Sequence, residues 1–90
     1  MLKLLEQVEA RFSKEYETLQ INGQKCFIGN NGTVFYFVAL EQFRCLLVEY
    51  ADNINVAKSG AFDDGDLVDA DQGFESMIAE LQEEIQLEVA

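Results

Sequence analysis

Apolar and aromatic residues are most concentrated in the middle of the chain. Three runs there, 25–29, 33–40 and 43–50, are rich in β-branched and aromatic side chains, which is the composition typical of strands. The dipeptide Asn31-Gly32 separates the first two runs and favours a two-residue hairpin turn, because both residues tolerate a positive φ. The pattern predicts an antiparallel three-stranded meander.

A second Asn-Gly dipeptide, Asn22-Gly23, leaves the start of the sheet open to two interpretations. Read as a hairpin turn, it joins a short strand at 19–21 to residues 24 and 25 and gives a four-stranded variant. Read as an exit loop, it follows a helix that ends near Thr18.

The two ends of the chain, 2–19 and 72–88, show helical periodicity. Apolar residues recur there at intervals of three or four, which places them on one stripe of an amphipathic helix. The first stripe is Leu5, Val8, Phe12, Tyr16 and Leu19, and the second is Phe74, Ile78, Leu81 and Ile85. Asp71 is the expected N-cap of the last helix. We therefore predict an α+β fold, a three- (or four-) stranded antiparallel β-meander with N- and C-terminal helices packed on one face, in a single domain spanning 1–90.

A two-residue turn at Asn31-Gly32 also predicts which side chains share a face of the sheet. It pairs Ile28 with Phe35 and Cys26 with Phe37, so these four are expected beneath the helices. The opposite face then carries Lys25, Phe27, Val34, Tyr36 and Val38. Phe27 and Tyr36 make this face an alternative contact surface, unless the chain termini or a second copy of the protein cover it.

The remaining segments carry weaker signals. Residues 40–51 fit helical spacing too, but the continuous apolar run 45–48 favours a strand. Residues 53–62 predict a short helix capped by Asp52 or Asn53.

Residues 62–71 contain five aspartates around Leu67 and Val68. We expect an acidic loop that these two apolar side chains anchor to the core.

The distribution of charge along the chain is the most informative feature of the composition. The net charge is −11, and it is unevenly distributed: residues 1–58 hold all six basic and seven acidic residues, whereas residues 59–90 hold ten acidic residues and no basic one. Nucleic-acid binding and binding to an anionic membrane both need cationic side chains, so neither is expected. No apolar run approaches 18 residues, and the N-terminus turns acidic too early for a signal peptide, so we expect a cytoplasmic protein.

The residue types also argue against an enzyme. The chain has no histidine, so no serine or cysteine can form a hydrolase triad with an imidazole. Its two cysteines, Cys26 and Cys45, are too few for a zinc site and are expected to be reduced, buried thiols on strands too far apart for a disulfide. The glycines match no phosphate-binding motif, so no cofactor is expected.

The aspartate segment does not match the pattern of a calcium-binding EF-hand loop. An EF-hand needs oxygen ligands at positions 1, 3 and 5 and glycine at position 6. Aligning Gly65 with position 6 puts Gly60 and Phe62 at positions 1 and 3, and aligning Gly73 puts Val68 and Ala70 there. Neither alignment supplies the ligands, so no metal site is predicted.

The acidic third of the chain is the remaining candidate site. Acidic surfaces accelerate association with cationic partners and repel others. We expect seven side chains to form one such surface: Asp63, Asp64, Asp66, Asp69, Glu80, Glu83 and Glu84.

The run 49–53, the segment 62–67 and the acidic terminal helix resemble small immunity proteins of bacterial polymorphic-toxin systems. The resemblance covers roughly the last 45 residues and implies a toxin as the partner. The expected function is a non-enzymatic inhibitor or immunity-type protein for a basic protein partner. The alternatives are a small bacterial or phage regulatory or housekeeping module, as a homodimer through the Tyr36 face, and a DNA mimic.

Overall fold

The computed structural model describes residues 2–89, with side chains described up to residue 87. The elements are α1 (Leu2–Phe12), β1 (Glu17–Ile21), β2 (Gln24–Ile28), β3 (Val34–Leu40), a 3-10 turn (Glu41–Phe43), β4 (Cys45–Ala51), α2 (Ile54–Lys58), β5 (Asp63–Asp69) and α3 (Phe74–Val89). The strands form one antiparallel sheet in the order β1-β2-β3-β4-β5. The α+β class, the antiparallel sheet and the helices at both ends are confirmed, but the sheet has five strands instead of three or four.

The first hairpin accounts for one added strand. Asn22 and Gly23 both have positive φ, 52° and 82°, and Ile21 pairs with Gln24 across them. This is the two-residue turn of the four-stranded variant. The predicted helix over 2–19 therefore ends early, at Phe12, because pairing with β2 requires residues 17–21 to be extended.

The second hairpin has a longer turn than predicted. The Gly32 N–H donates to the Gly29 carbonyl at 3.0 Å, and the Gly29 N–H donates to the Thr33 carbonyl at 2.7 Å. Gly32 has a φ of 90°, as expected at the end of a three-residue hairpin loop. Phe27 consequently pairs with Phe35, one residue away from the predicted register.

This one-residue shift reverses the faces of β2. Phe27 is buried beneath the helices with Phe35, whereas Cys26 is buried on the opposite side of the sheet with Val34. The prediction that Phe27 contributes to an exposed contact face is therefore wrong.

The main core lies between the sheet and the two terminal helices. α1 contributes Val8 and Phe12, α3 contributes Met77, Ile78, Leu81 and Ile85, and the sheet contributes Phe27, Phe35, Phe37, Leu46, Val48 and Val68. The rings of Phe12 and Phe37 lie 4.8 Å apart between centroids. Each side chain of this size stabilises the fold by about 1.5–3 kcal/mol when fully buried. Both terminal helices pack on this core, as predicted.

The other face of the sheet is covered at one end by α2. Asn53 caps this short helix, because its side chain accepts the Val56 N–H at 2.9 Å, as one of the two predicted caps would. Ala57 of α2 is buried in a smaller cluster with Ile21, Cys26, Val34 and Ala51.

The predicted acidic loop is instead strand β5, at the edge of the sheet beside β4. Successive side chains in a strand point to opposite faces, so only Val68 of the predicted anchor pair is buried, and Leu67 remains 53% exposed. Leu47 pairs with Leu67 and Glu49 with Asp64, which leaves two residues of β5 opposite Val48. β5 therefore contains a β-bulge at Gly65 and Asp66.

Candidate partner-binding surface

The structure places the seven predicted contact residues on two neighbouring elements. Four aspartates (Asp63, Asp64, Asp66 and Asp69) are exposed on the edge strand β5. Glu80 and Glu83 are exposed on α3, whereas Glu84 of the same helix is only 8% exposed. Six of the seven side chains are thus available to a partner.

Two sets of hydrogen bonds hold β5 against α3. The Gln72 side-chain amide donates to the Asp69 carbonyl at 3.0 Å and to the Glu80 carboxylate at 3.1 Å. One turn further along the helix, Glu84 Oε1 accepts the Asp66 N–H at 2.8 Å. The exposed carboxylates therefore lie on the edge strand β5 and on the neighbouring helix α3, with Asp64 and Asp69 on the face of the sheet opposite α3. These six are here termed the acidic surface: Asp63, Asp64, Asp66, Asp69, Glu80 and Glu83.

Glu84 has an internal role that corrects its predicted place on this surface. The Asp66 N–H that it accepts belongs to the β-bulge, where regular pairing with β4 is interrupted. A Cβ on Gly65 would lie 2.6 Å from Glu84 Oε1, so only glycine lets the carboxylate approach this closely. Gly65 and Glu84 together join the bulge to α3.

Two other acidic residues of this region are neutralised by arginines. Arg44 makes a bidentate contact with Asp71, at 2.8 and 3.0 Å from its Nε and 2.8 Å from Nη2, and Arg11 pairs with Glu75 at 3.1 Å. These hydrogen bonds lower the pKa of both Asp71 and Glu75. Asp71 is thus engaged by Arg44, and α3 begins beyond it at Phe74 instead of being capped by it.

The six carboxylates of the acidic surface differ from Asp71 and Glu75 in this respect. Among the side chains that the structure describes, none of its six carboxylates forms an ion pair with lysine or arginine. The surface is therefore a concentration of uncompensated negative charge, which repels itself in the free protein and attracts cations.

Tyr36, the second half of the predicted aromatic face, is half-buried. Its ring meets that of Phe62 edge-on, with centroids 4.9 Å apart, and its hydroxyl donates to the carboxylate of Glu49. Burial, followed by the hydrogen bond and charge of Glu49, raises the pKa of Tyr36. Glu49 pairs in turn with Asp64, so a phenol and two carboxylates lie in one row across three strands.

A cleft of about 250 Å³ lies beside Tyr36 on this face. Its lining consists of Ile21, Asn22, Gln24, Cys26, Tyr36, Gly60 and Phe62. Burial raises the pKa of the Cys26 thiol, which donates to the Gln24 carbonyl at 3.5 Å. Because the thiolate is the nucleophilic form, Cys26 is poorly suited to covalent chemistry. Both cysteines are free; Cys26 is buried as predicted, and Cys45 is half-buried.

A feature that the sequence interpretation missed is an apolar row on the same face. Val38 of β3 pairs with Leu47 of β4, which pairs with Leu67 of β5. Val38 and Leu47 are half-buried, and Phe43, in the turn that joins β3 to β4, is 66% exposed. In a strand, the neighbours Leu67 and Val68 point to opposite faces of the sheet. The prediction of a loop over 62–71 left no strand on which Leu67 could extend this row.

The described residues contain no group of three or more His, Cys, Asp or Glu side chains placed to hold a metal ion. In the same part of the chain, no helix is both long and apolar enough to cross a membrane. Searches against protein-family models, curated proteins and solved structures gave no match.

Proposed function

We propose that this chain is a non-enzymatic acidic binding protein that inhibits a basic protein partner, in the manner of an immunity protein. The observation that carries the proposal is the acidic surface, whose six exposed carboxylates on β5 and α3 form no ion pair with any lysine or arginine side chain that the structure describes. Such a surface is costly to an isolated protein, because like charges repel. A cationic partner removes that cost on binding.

The position of the charge at a sheet edge also supports a selective binding role. An edge strand presents unpaired backbone groups and tends to pair with other strands, including those of identical chains. The exposed aspartates and the bulge of β5 oppose pairing with another copy of this acidic chain. The aspartates, unlike the bulge, discriminate by charge and attract a basic partner.

The proposed partner is a toxin with a basic surface, and the proposed setting is the cytoplasm. This part of the proposal rests on the resemblance of 49–53 and 62–67 to immunity proteins. The two segments adjoin in the sheet, since Glu49 pairs with Asp64 and Tyr50 with Asp63. A gene for a basic toxin beside the gene for this chain would support the assignment, and a partner of neutral or acidic charge would contradict it.

Charge reversal on β5 tests the binding role. Asp64→Lys combined with Asp66→Lys should strongly weaken capture of the native basic partner at low salt, because it places cations within the acidic surface. Glu15→Lys combined with Glu17→Lys is the matched control. Both residues are exposed, Glu17 on the opposite edge strand β1 and Glu15 in the turn just before it, and the net charge changes equally. Equal loss of capture in the two variants would contradict a localised site.

A further inference from the structure

The second face of the sheet is only partly covered. α2 has five residues and packs over the end of the sheet that contains Val34 and Ala51. The apolar row of Val38, Leu47 and Leu67 lies outside the cluster that α2 closes. Leu67 is 53% exposed at the outer end of this row.

Carboxylates flank this apolar row on β5. Residues 64 and 69 lie on the same face as Leu67, since Asp64 pairs with Glu49 and Asp69 with Cys45 in the register that pairs Leu47 with Leu67. Asp64 and Asp69 are both exposed. The apolar row is therefore continuous with the part of the acidic surface that Asp64 and Asp69 form.

We propose that the basic partner is held on this apolar row, by a segment that presents apolar side chains between lysines or arginines. The inference rests on the proposed function and identifies the chemistry of the same partner. Charge complementarity selects the occupant, because the apolar side chains would fill the row while the cations meet Asp64 and Asp69. A second copy of the chain is disfavoured, since stacking two such faces would bring their own aspartates together.

The carboxylates and the apolar row then have different kinetic roles. Long-range attraction by the carboxylates governs the rate of association and is screened by salt. Burial of Leu67 and its neighbours acts only after contact, so it governs the rate of dissociation. Truncating the row should therefore change the lifetime of the complex without changing the salt dependence of its formation.

A short peptide of alternating lysine and valine, titrated into the isotope-labelled full chain, tests the inference by NMR. It should shift the backbone amides of Val38, Leu47 and Leu67. A peptide with serine in place of valine, matched in charge, should bind at least about tenfold more weakly. A peptide with glutamate in place of lysine should not bind.

Truncation of Leu67 provides the second part of the experiment. Leu67→Ser should reduce the affinity for the lysine–valine peptide towards that for the lysine–serine peptide. Leu2→Ser is the matched control, because Leu2 is also exposed but lies on α1. Leu67 is more than half exposed, so the melting temperature should stay close to that of the wild type.

Failure of this inference can be told apart from failure of the proposed function. Equal affinity for the two lysine peptides, both weakened by the Asp64→Lys and Asp66→Lys pair, would overturn the role of the row and leave the acidic binding function standing. No binding of either lysine peptide, or equal binding of the glutamate–valine peptide, would overturn both. A dimer in sedimentation that dissociates on Leu67→Ser would show that a second copy occupies the row and would overturn the inference.

Discussion

At the scale of single residues, the most consequential contact joins Glu84 to the bulge of β5. The carboxylate is buried, accepts the Asp66 N–H and occupies the space that a side chain on Gly65 would need. No sequence pattern identifies this contact. It depends on how β5 lies against α3, and in the chain Glu84 is one of several similar glutamates.

Removing this contact should cost stability. Glu84→Ala leaves the Asp66 N–H without its partner, and such a loss typically costs about 1–3 kcal/mol in the free energy of unfolding. Gly65→Ala should cost about 1–3 kcal/mol, because the added methyl group displaces the carboxylate. Denaturant titration of both variants and of their combination provides the measurement, with Glu83→Ala as the exposed control. Strictly additive effects of the two substitutions would contradict the coupling.

The ionisation of Tyr36 gives a second prediction at the scale of single residues. The pKa of Tyr36 is raised in the folded chain, so the unfolded chain releases this proton first, near pH 10. The stabilisation from protonated Tyr36 is complete below that pH and is lost as the pH rises further. Tyr36→Phe should therefore flatten the fall in stability above about pH 10, leaving the parts due to Tyr16 and Cys26, whose pKa values are also raised by burial. An unchanged slope in alkaline denaturation would contradict the assignment.

At the scale of elements, the lengths of the hairpin turns determine which parts of the strand register are predictable from the sequence. Asn22-Gly23 behaves as its chemistry predicts, with both residues at positive φ. Asn31-Gly32 contains the same dipeptide, but here the turn begins at Gly29 and includes Asn30. The dipeptide alone does not fix the loop length, and the one-residue difference moved Phe27 into the core.

β5 was missed for a related reason. Aspartate and glycine are rare in strands, so the composition of 62–71 favours a loop. Pairing with β4 overrides that preference, because Val68 reaches the main core. The terminal helices and the composition of the acidic surface were predictable from periodicity and charge. The apolar row was not, since it depends on the register of three strands.

The observed register predicts unequal effects of substitution in β2. Phe27→Ala should lower the free energy of unfolding by about 3–5 kcal/mol, the usual range for a fully buried phenylalanine. Ile28→Ala should cost clearly less, because Ile28 is only half-buried. Urea denaturation of the two variants compares them directly. A larger loss of stability for Ile28→Ala than for Phe27→Ala would support the register of a two-residue turn instead.

At the scale of the whole molecule, charge is the dominant feature. A net charge of −11 on ninety residues destabilises the compact state by self-repulsion, and the ten acidic residues of 59–90 contribute most of it. Salt should raise the melting temperature of the wild type by screening this repulsion. The Asp64→Lys and Asp66→Lys pair should melt higher than the wild type at low salt and show a smaller salt effect. Calorimetry at two salt concentrations checks this, and an identical salt response would contradict it.

The association rate constant of the captured partner tests the central claim most directly, measured by stopped-flow or surface-based kinetics at low and high ionic strength. For the wild type it should fall steeply with added salt. At low salt the Asp64→Lys and Asp66→Lys pair should lower it by about tenfold or more, whereas the Glu15→Lys and Glu17→Lys control should lower it much less. An association rate that responds neither to salt nor to the substitutions on β5 would contradict the claim that the acidic surface recruits a basic partner.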